Sequence, residues 1–332
     1  MRSLPYVLGT SAVAAVVALA AGPAVADEDS GFTIKDPRVK ESSGLAASRA
    51  HPGVYWTHND QDQPRVFAVD SKTGETVATI TLSGVGTPRD MEAISVGPDG
   101  SVYVGDIGDN LDGSWDHVWI YRFPEPKTLK DQTVRAAQFT VKYADGARNA
   151  EALMVHPKTG RVYIASKNED GGGLYEGPVT LTASGTNVFR RVGEVPWVTD
   201  GAFSPDGKEL LLRSYFSARG YEWKNGKLGT DHRVRAPLQG QAESVTYTAD
   251  GAALMFGSEG EQSDVERVPL GDDSASGGGR GSDSDSGKSP SSGGSSADAA
   301  GDGGNDKLTF ALIVLAGGAA LVLGLKRLFR RG

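Results

Sequence analysis

The chain has 332 residues, with 34 Lys and Arg residues, 42 Asp and Glu residues, 45 Gly, 16 Pro and no Cys. The absence of cysteine excludes a disulfide scaffold, a thiolate metal site, a cysteine nucleophile and an iron–sulfur cluster. All of the acidic residues and all but five of the basic residues lie between residues 27 and 307, so this part of the chain is strongly acidic. Such a surface repels nucleic acid, and we expect no nucleic-acid partner.

The N-terminal 26 residues have the three parts of a secretory signal peptide. Arg2 is the positive start, an apolar run covers residues 4–21, and Ala24-Val25-Ala26 is a small-residue cleavage site. The alternative is an uncleaved signal anchor. We favour cleavage because acidic residues follow the site directly, and we expect an extracellular location for the domain at residues 27–270.

The C-terminal region predicts a single transmembrane helix at residues 308–325. These 18 residues carry no charge and are followed by a basic tail at residues 326–332. At about 1.5 Å per residue, a helix of this length spans roughly 27 Å, close to the hydrocarbon thickness of a bilayer. The alternative is a buried helix of a globular domain, but the segment has no amphipathic face. By the positive-inside rule we expect a single-pass protein of the cell membrane with a cytoplasmic C-terminus.

The segment between the domain and this helix, residues 271–307, is rich in Gly, Ser and Asp and almost free of apolar side chains. It cannot bury enough surface to offset the conformational entropy lost on ordering. We therefore expect a disordered stalk that separates the domain from the membrane.

Residues 32–270 consist of short apolar-alternating segments separated by Gly, Pro, Asp and Asn turns, with almost no helical periodicity. An acidic residue, an apolar strand, a tight turn and a second strand recur from five starting points: Glu41, Glu92, Glu151, Asp200 and Glu243. Spacings of 43 to 59 residues leave room for about four strands per repeat and favour propeller blades. We predict an all-β, five-bladed β-propeller closed by segment 31–39, with six blades as the runner-up and a β-sandwich as the alternative.

The repeats also predict where their polar residues lie. In a propeller the first strand of each blade lines the central channel, and a hairpin centred on Pro98–Gly100 sets Glu92 opposite Asp106. The same construction brings Glu151 next to Lys167, and Glu243 next to Glu259. We expect these residues to form a ligand-binding channel mouth: Glu41, His58, Asp60, Asp90, Glu92, Asp106, Asp109, Asn110, Glu151, Lys167, Arg213, Glu243 and Glu259.

Crowded carboxylates raise one another's pKa or recruit a cation. Hard oxygen ligands, with no thiolate and no close pair of histidines, suit Ca²⁺ better than Zn²⁺. We therefore predict a calcium site formed by Glu92, Asp106, Glu151 and Glu243. For each of these residues the alternative is a structural role, in which the carboxylate accepts hydrogen bonds from backbone amides between blades.

Five segments resemble a family of secreted bacterial β-propellers described as WD40-like or phytase-like repeat proteins. They are residues 43–48, 56–60, 106–110, 121–126 and 149–153. The Gly-His and Trp-Asp signature of WD40 repeats proper is absent. The resemblance implies a propeller fold. The similarity to β-propeller phytases implies Ca²⁺ at an acidic channel mouth, with Lys167 and Arg213 on the phosphoryl oxygens of a substrate.

Sequence signatures of serine hydrolases, nucleotide-dependent enzymes and zinc enzymes are absent, and no catalytic residue is assigned. The favoured hypothesis is a membrane-anchored extracellular binding module. Its channel mouth would recognise an envelope component, a small ligand or a protein partner. The alternative is a calcium-dependent phytase-like or lactonase-like hydrolase that acts at the same mouth.

Overall fold

The computed structural model describes residues 31–110 and 113–271, which form 21 β-strands and no helix. The all-β prediction is therefore confirmed for these residues. The predicted signal peptide, the predicted stalk apart from Gly271, the predicted transmembrane helix and the basic tail lie outside them. Within the described residues there is also no helix with the length and apolar character needed to cross a membrane.

The strands are short, as the frequent turn residues predict. In chain order they are β1 (Phe32–Thr33), β2 (Ser42–Ala47), β3 (Val54–Asn59), β4 (Arg65–Asp70), β5 (Thr76–Ser83), β6 (Met91–Val96), β7 (Ser101–Asp106), β8 (Val118–Pro124), β9 (Gln132–Arg135), β10 (Ala137–Tyr143), β11 (Ala150–Val155), β12 (Val162–Ser166), β13 (Gly172–Glu176), β14 (Thr186–Val195), β15 (Asp200–Phe203), β16 (Glu209–Ser214), β17 (Ser217–Lys224), β18 (Lys227–Val234), β19 (Ala242–Tyr247), β20 (Ala253–Ser258) and β21 (Asp264–Pro269).

These strands pair into four sheets that follow the sequence repeats. The strand orders are β2-β3-β4-β5-β9, β6-β7-β8-β10-β14-β13-β12-β11, β15-β16-β17-β18 and β19-β20-β21-β1. The eight-stranded sheet consists of two consecutive repeats whose outer strands, β10 and β14, pair in parallel. Strand β9 pairs in parallel with β5 and so connects the second repeat to the outer edge of the first.

The first strands of the repeats contact one another in cyclic order, from β2 to β6, β11, β15, β19 and back to β2. Strand β1 completes the last sheet by pairing antiparallel with β21, with Phe32 opposite Val265. The sequence predicts this closure by segment 31–39. The arrangement is propeller-like, and it gathers the starts of five strands at one end of a central channel.

Apolar side chains fill the space between neighbouring repeats. The described residues form five buried clusters, and each contains residues from two repeats that are adjacent in the cycle. Between the first and second repeats, for example, the fully buried ring of Trp56 contacts Phe123 edge-on, with ring centroids 6.4 Å apart. Burying one large apolar side chain stabilises a fold by roughly 1.5–3 kcal/mol, so these clusters fix the angles between neighbouring sheets.

Candidate functional site

Glu92, Glu151 and Glu243 each occupy a β-bulge at the start of an inner strand. In the second repeat the predicted register holds from Val96–Val102 to Ala93–Gly105 and then shifts by one residue. Met91 therefore faces Asp106, and the prediction that Glu92 faces Asp106 is wrong. The register shifts in the same way on either side of Glu151 and of Glu243. A bulge leaves one residue unpaired and turns its side chain, so each glutamate is directed away from the regular pleat.

In the first repeat the corresponding position belongs to Ser43 and not to Glu41. The register of β2 with β3 shifts between Ser42 and Leu45. The Ser43 hydroxyl donates a hydrogen bond to Glu92 Oε2 at 3.0 Å. Glu41 lies two residues before Ser43, and its carbonyl oxygen accepts a hydrogen bond from the Asp60 backbone amide.

Three carboxylates meet beside this bulge. One oxygen from each of Asp60, Asp90 and Glu92, hereafter the carboxylate triad, lies within 4.8 Å of the others, and all three residues are buried. Asn110 Nδ2 donates to Asp90 Oδ2 at 3.1 Å, which helps to fix that side chain. Gly108 leaves room for the group, since a Cβ at this position would lie 2.6 Å from Asp90 Oδ2 and 2.8 Å from Glu92 Cγ.

The electrostatics of the triad favour a cation. Burial raises the pKa of Glu92 well above its ordinary value, and the nearby carboxylates of Asp60, Glu151 and Asp90 raise it further. Buried like charges at this spacing must be neutralised by protons or by a cation. Several carboxylate oxygens that converge on one point suit the oxygen-rich coordination of Ca²⁺. The triad therefore fits a divalent cation, although of the predicted metal ligands only Glu92 belongs to it.

A lysine lies at the centre of the remaining acidic residues. Lys167 Nζ lies 3.0 Å from Glu151 Oε1 and donates a hydrogen bond to the Tyr215 hydroxyl at 2.9 Å. Burial lowers the pKa of Lys167, but the carboxylates of Glu151, Glu243 and Glu92 outweigh it and leave that pKa well above its ordinary value. Lys167 therefore stays charged and partly compensates the buried acids.

Glu243 completes this group, and one of its oxygens is not hydrogen-bonded. Its side chain is 7% exposed, and Oε2 has no hydrogen-bond partner within the part of the chain that the structure describes. Burial raises the pKa of Glu243 to about 8. The positive charge of Lys167 acts to lower this pKa, and the negative charges of Glu151 and Glu259 act to raise it. Asp60, Asp90, Glu92, Glu151, Glu243 and Lys167 are hereafter called the acidic cluster.

Asp106 ends β7 and Asp109 follows it near the carboxylate triad, but their carboxylates accept hydrogen bonds from the segments around them. The Asp106 carboxylate accepts hydrogen bonds from the backbone amides of Arg89 and Asp90 and from the Tyr121 hydroxyl. Asp109 accepts hydrogen bonds from Ser114 and from the Trp115 backbone amide. These are the structural roles that the sequence leaves open as the alternative for such carboxylates.

Arg213 is directed into the backbone of the last repeat. Its Nη1 atom donates to the carbonyl oxygens of Ser244 and Gly257, and Nη2 donates to Gln239 Oε1 at 2.7 Å. The side chain is fully buried, and burial lowers its pKa to about 10. Because both terminal nitrogens already have protein acceptors, the structure does not place this guanidinium where it would hold a phosphoryl group.

Two further predicted residues lie at the margins of the cluster. His58 is fully buried, and burial lowers its pKa to about 4, so its ring is uncharged at neutral pH. The Nδ1 atom of this ring lies 3.2 Å from the Asn59 carbonyl oxygen. Glu259 is half-buried, and its carboxylate accepts a hydrogen bond from Gln241 Nε2 at 2.7 Å.

Sequence reasoning missed Tyr215, which joins Lys167 to a group of aromatic rings. Trp197 and Tyr215 are in edge-on contact with centroids 5.1 Å apart, and Phe216 follows directly in the chain. The signal that could have identified Tyr215 is its position in the repeat. Asp60, Lys167 and Tyr215 each come directly after the second strand of their repeat.

A separate cavity lies at the other end of the inner strands. It has a volume of about 300 Å³ and is lined by the later residues of β2, β6, β11, β15 and β19 and by the turns after them. Its polar side chains include those of Ser48, Arg49, Ser95 and Thr248, and its lining has no acidic residue. The two ends of the channel therefore differ in charge.

No protein-family model matches the chain, and no curated protein matches it in sequence. The structure is similar to that of a PQQ-bound aldose sugar dehydrogenase from Streptomyces coelicolor, with 12% identity, a TM-score of 0.43, and 71% of this chain and 96% of that chain covered. It is also similar to a gluconolactonase from Xanthomonas campestris, with 14% identity, a TM-score of 0.44, and 72% and 90% covered.

A third similar structure is an auxiliary nutrient binding protein from Bacteroides thetaiotaomicron, with 13% identity and a TM-score of 0.40. The alignment covers 69% of this chain and 57% of that chain. At these identities and scores, the similarities assign no ligand, cofactor or activity to this chain. The resemblance to WD40-like or phytase-like repeat proteins stays a prediction.

Proposed function

We propose that the described domain is a five-bladed β-propeller that binds a divalent cation, preferentially Ca²⁺, at the carboxylate triad. The observation that carries the proposal is the convergence of three buried carboxylate oxygens, from Asp60, Asp90 and Glu92, within 4.8 Å. The cyclic contacts of five inner strands and the five apolar clusters between repeats support the blade count.

We propose further that the acidic cluster lies at an opening of the channel and that this opening recognises a ligand, which makes the domain a cation-dependent binding module. Glu243 Oε2 offers an acceptor, and Lys167 offers N–H donors beside it. Such convergent polar groups at one end of a channel are typical of small-molecule sites. The predicted signal peptide, stalk and transmembrane helix would display this opening outside the cell membrane.

Glu243 favours a second candidate function, a cation-dependent hydrolase of the lactonase or phosphoesterase class. A carboxyl group with a pKa of about 8 holds a proton near neutral pH and is suited to general acid–base work. A bound divalent cation would supply a Lewis acid that polarises a carbonyl or phosphoryl oxygen. Lys167, held by Glu151 and Tyr215, would orient the substrate by donating a hydrogen bond.

Calorimetric titration of the full-length chain with CaCl₂ and with MgCl₂ tests the proposed function. We expect one Ca²⁺ site per chain that is lost in Glu92→Gln and kept in Asp206→Asn, a control in an exposed turn. At a Ca²⁺ concentration of 100 times the Kd, binding adds about 2.7 kcal/mol to stability. For a domain of this size that corresponds to a rise in Tm of roughly 5–10 °C. A chain that binds neither cation contradicts the proposal.

A screen of lactones and phosphomonoesters with the Ca²⁺-loaded chain separates the two candidates. Hydrolysis that disappears in both Glu92→Gln and Glu243→Gln, and persists in Asp206→Asn, would favour the hydrolase. Cation binding without turnover of any of these substrates would favour the binding module.

A further inference from the structure

Three aromatic side chains lie beside the acidic cluster. Tyr215 connects the two groups, because its hydroxyl accepts a hydrogen bond from Lys167 while its ring contacts Trp197 at a centroid distance of 5.1 Å. Phe216 lies next to Tyr215, with centroids 6.4 Å apart, and is 70% exposed. A large apolar ring left in solvent beside the acidic cluster offers a surface against which a ligand can pack.

Polar atoms beside these rings lack a full set of partners. Glu243 Oε2 is buried without a hydrogen bond from any described residue, and a buried acceptor in this state is costly. The Lys167 ammonium group has three N–H donors, of which Glu151 and Tyr215 account for two. A ligand that both donates and accepts hydrogen bonds would satisfy the two side chains together.

The charges of the acidic cluster limit the chemical class of ligand that can bind there. The acidic cluster contains five carboxyl groups and one lysine, so a free anion is repelled. Beside the Tyr215 ring an organic ammonium ion would meet the positive charge of Lys167, whose Nζ lies 5.1 Å from the ring centroid and pairs with Glu151. A neutral molecule with several hydroxyl groups and an apolar face is repelled neither by the carboxylates nor by Lys167.

We propose that the acidic cluster and the adjoining aromatic rings bind, at the proposed opening, a neutral, hydroxyl-rich ring such as a monosaccharide unit. One hydroxyl donates to Glu243 Oε2, another accepts from Lys167, and the C–H face of the ring packs on Phe216. The inference rests on the proposed function, since it names the ligand class of the same opening.

The test is titration of the full-length chain, in saturating CaCl₂, with the methyl glycosides of glucose, galactose, mannose and N-acetylglucosamine. Binding is followed by calorimetry and by saturation-transfer NMR. At least one glycoside is expected to bind, and Phe216→Ala and Glu243→Leu, which removes the acceptor oxygen, are each expected to weaken that binding by about tenfold or more. Val179→Ala, a control at an apolar side chain that is 77% exposed, is expected to leave it unchanged.

Three outcomes overturn the inference. One is that none of the glycosides binds. Another is that tetramethylammonium or inorganic phosphate binds more tightly than any of them. The third is glycoside binding that neither Phe216→Ala nor Glu243→Leu changes, since the ligand would then lie elsewhere, for example in the cavity at the other end of the channel.

Calcium titration of the same samples separates failure of this inference from failure of the proposed function. Phe216 does not belong to the carboxylate triad, so Phe216→Ala is expected to keep the Ca²⁺ affinity of the parent chain. Normal Ca²⁺ binding with no glycoside binding rejects only the ligand class. If the parent chain binds neither Ca²⁺ nor any glycoside, the proposed function itself is rejected.

Discussion

The ammonium group of Lys167 lies 3.0 Å from Glu151 Oε1, with the Glu151 side chain 4% exposed and the Lys167 side chain 16% exposed. The two residues come from paired strands of one repeat, because Glu151 lies in the bulge of β11 and Lys167 directly follows β12. This ion pair opposes the rise in the pKa of Glu151 that burial causes next to Glu92 and Glu243.

Lys167→Met is expected to lower the free energy of unfolding by about 3–5 kcal/mol, because it leaves Glu151 buried without its partner. Urea unfolding at pH 7 measures the change. The double variant Lys167→Met/Glu151→Gln is expected to recover much of the loss, since it removes the unpaired charge as well. Equal losses in the single and double variants would show that the pair does not act as a unit.

Glu243 is expected to lower stability as the pH rises from about 4.5 to about 8, while His58, with a folded pKa of about 4 against an ordinary 6.5, opposes this effect below about pH 6.5. Over this range the folded chain keeps the proton on Glu243, whose pKa is about 8, while the unfolded chain releases it near the ordinary value of 4.5. The raised pKa values of Glu92 and Glu151 act in the same direction. Urea unfolding across this range is expected to show a shallower slope in Glu243→Gln than in the parent chain. Identical slopes would contradict the raised pKa.

Gly108→Ala is expected to weaken Ca²⁺ binding by about tenfold or more while the domain stays folded. The added Cβ would lie within 3 Å of Asp90 and Glu92 side-chain atoms, so the triad carboxylates must move apart. Gly86→Ala is the matched control, because its Cβ would meet only Gln138 Oε1, at 3.8 Å. Calorimetry that finds the same Ca²⁺ affinity in both variants would argue against a site at the triad.

Arg213→Met is expected to destabilise the fold by about 2–4 kcal/mol and to leave Ca²⁺ affinity unchanged. The substitution removes the hydrogen bonds that the guanidinium donates to Ser244, Gly257 and Gln239. Unfolding and calcium titrations of the same sample check both parts. Normal stability with altered ligand or cation affinity would contradict this expectation and support the ligand-binding role that the sequence predicts for Arg213.

The strand repeats and ring closure follow from the sequence because turns and alternation are local signals. The turn at Pro98–Gly100 fixes the hairpin register, and the prediction holds as far as Ala93 opposite Gly105. The bulge at Glu92 has no such signal, since it depends on how the strand start packs against its neighbours. Asp106 consequently moves one position away from its predicted partner.

The acidic cluster was only partly predictable. Matching positions in the repeats were enough to bring Glu151 next to Lys167. They could not show that Arg213 is directed into the backbone of the last repeat, because its acceptors lie on β19 and β20, more than thirty positions along the chain. Nor did they reveal Tyr215, whose residue type differs from those of Asp60 and Lys167 at the same position.

Crystals grown in the presence of TbCl₃, with Tb³⁺ standing in for Ca²⁺, test the central claim most directly through the anomalous difference density. We predict one strong peak bounded by carboxylate oxygens of Asp60, Asp90 and Glu92, and its disappearance in crystals of Glu92→Gln. Density at other surfaces of the domain with none between these three side chains would contradict the account.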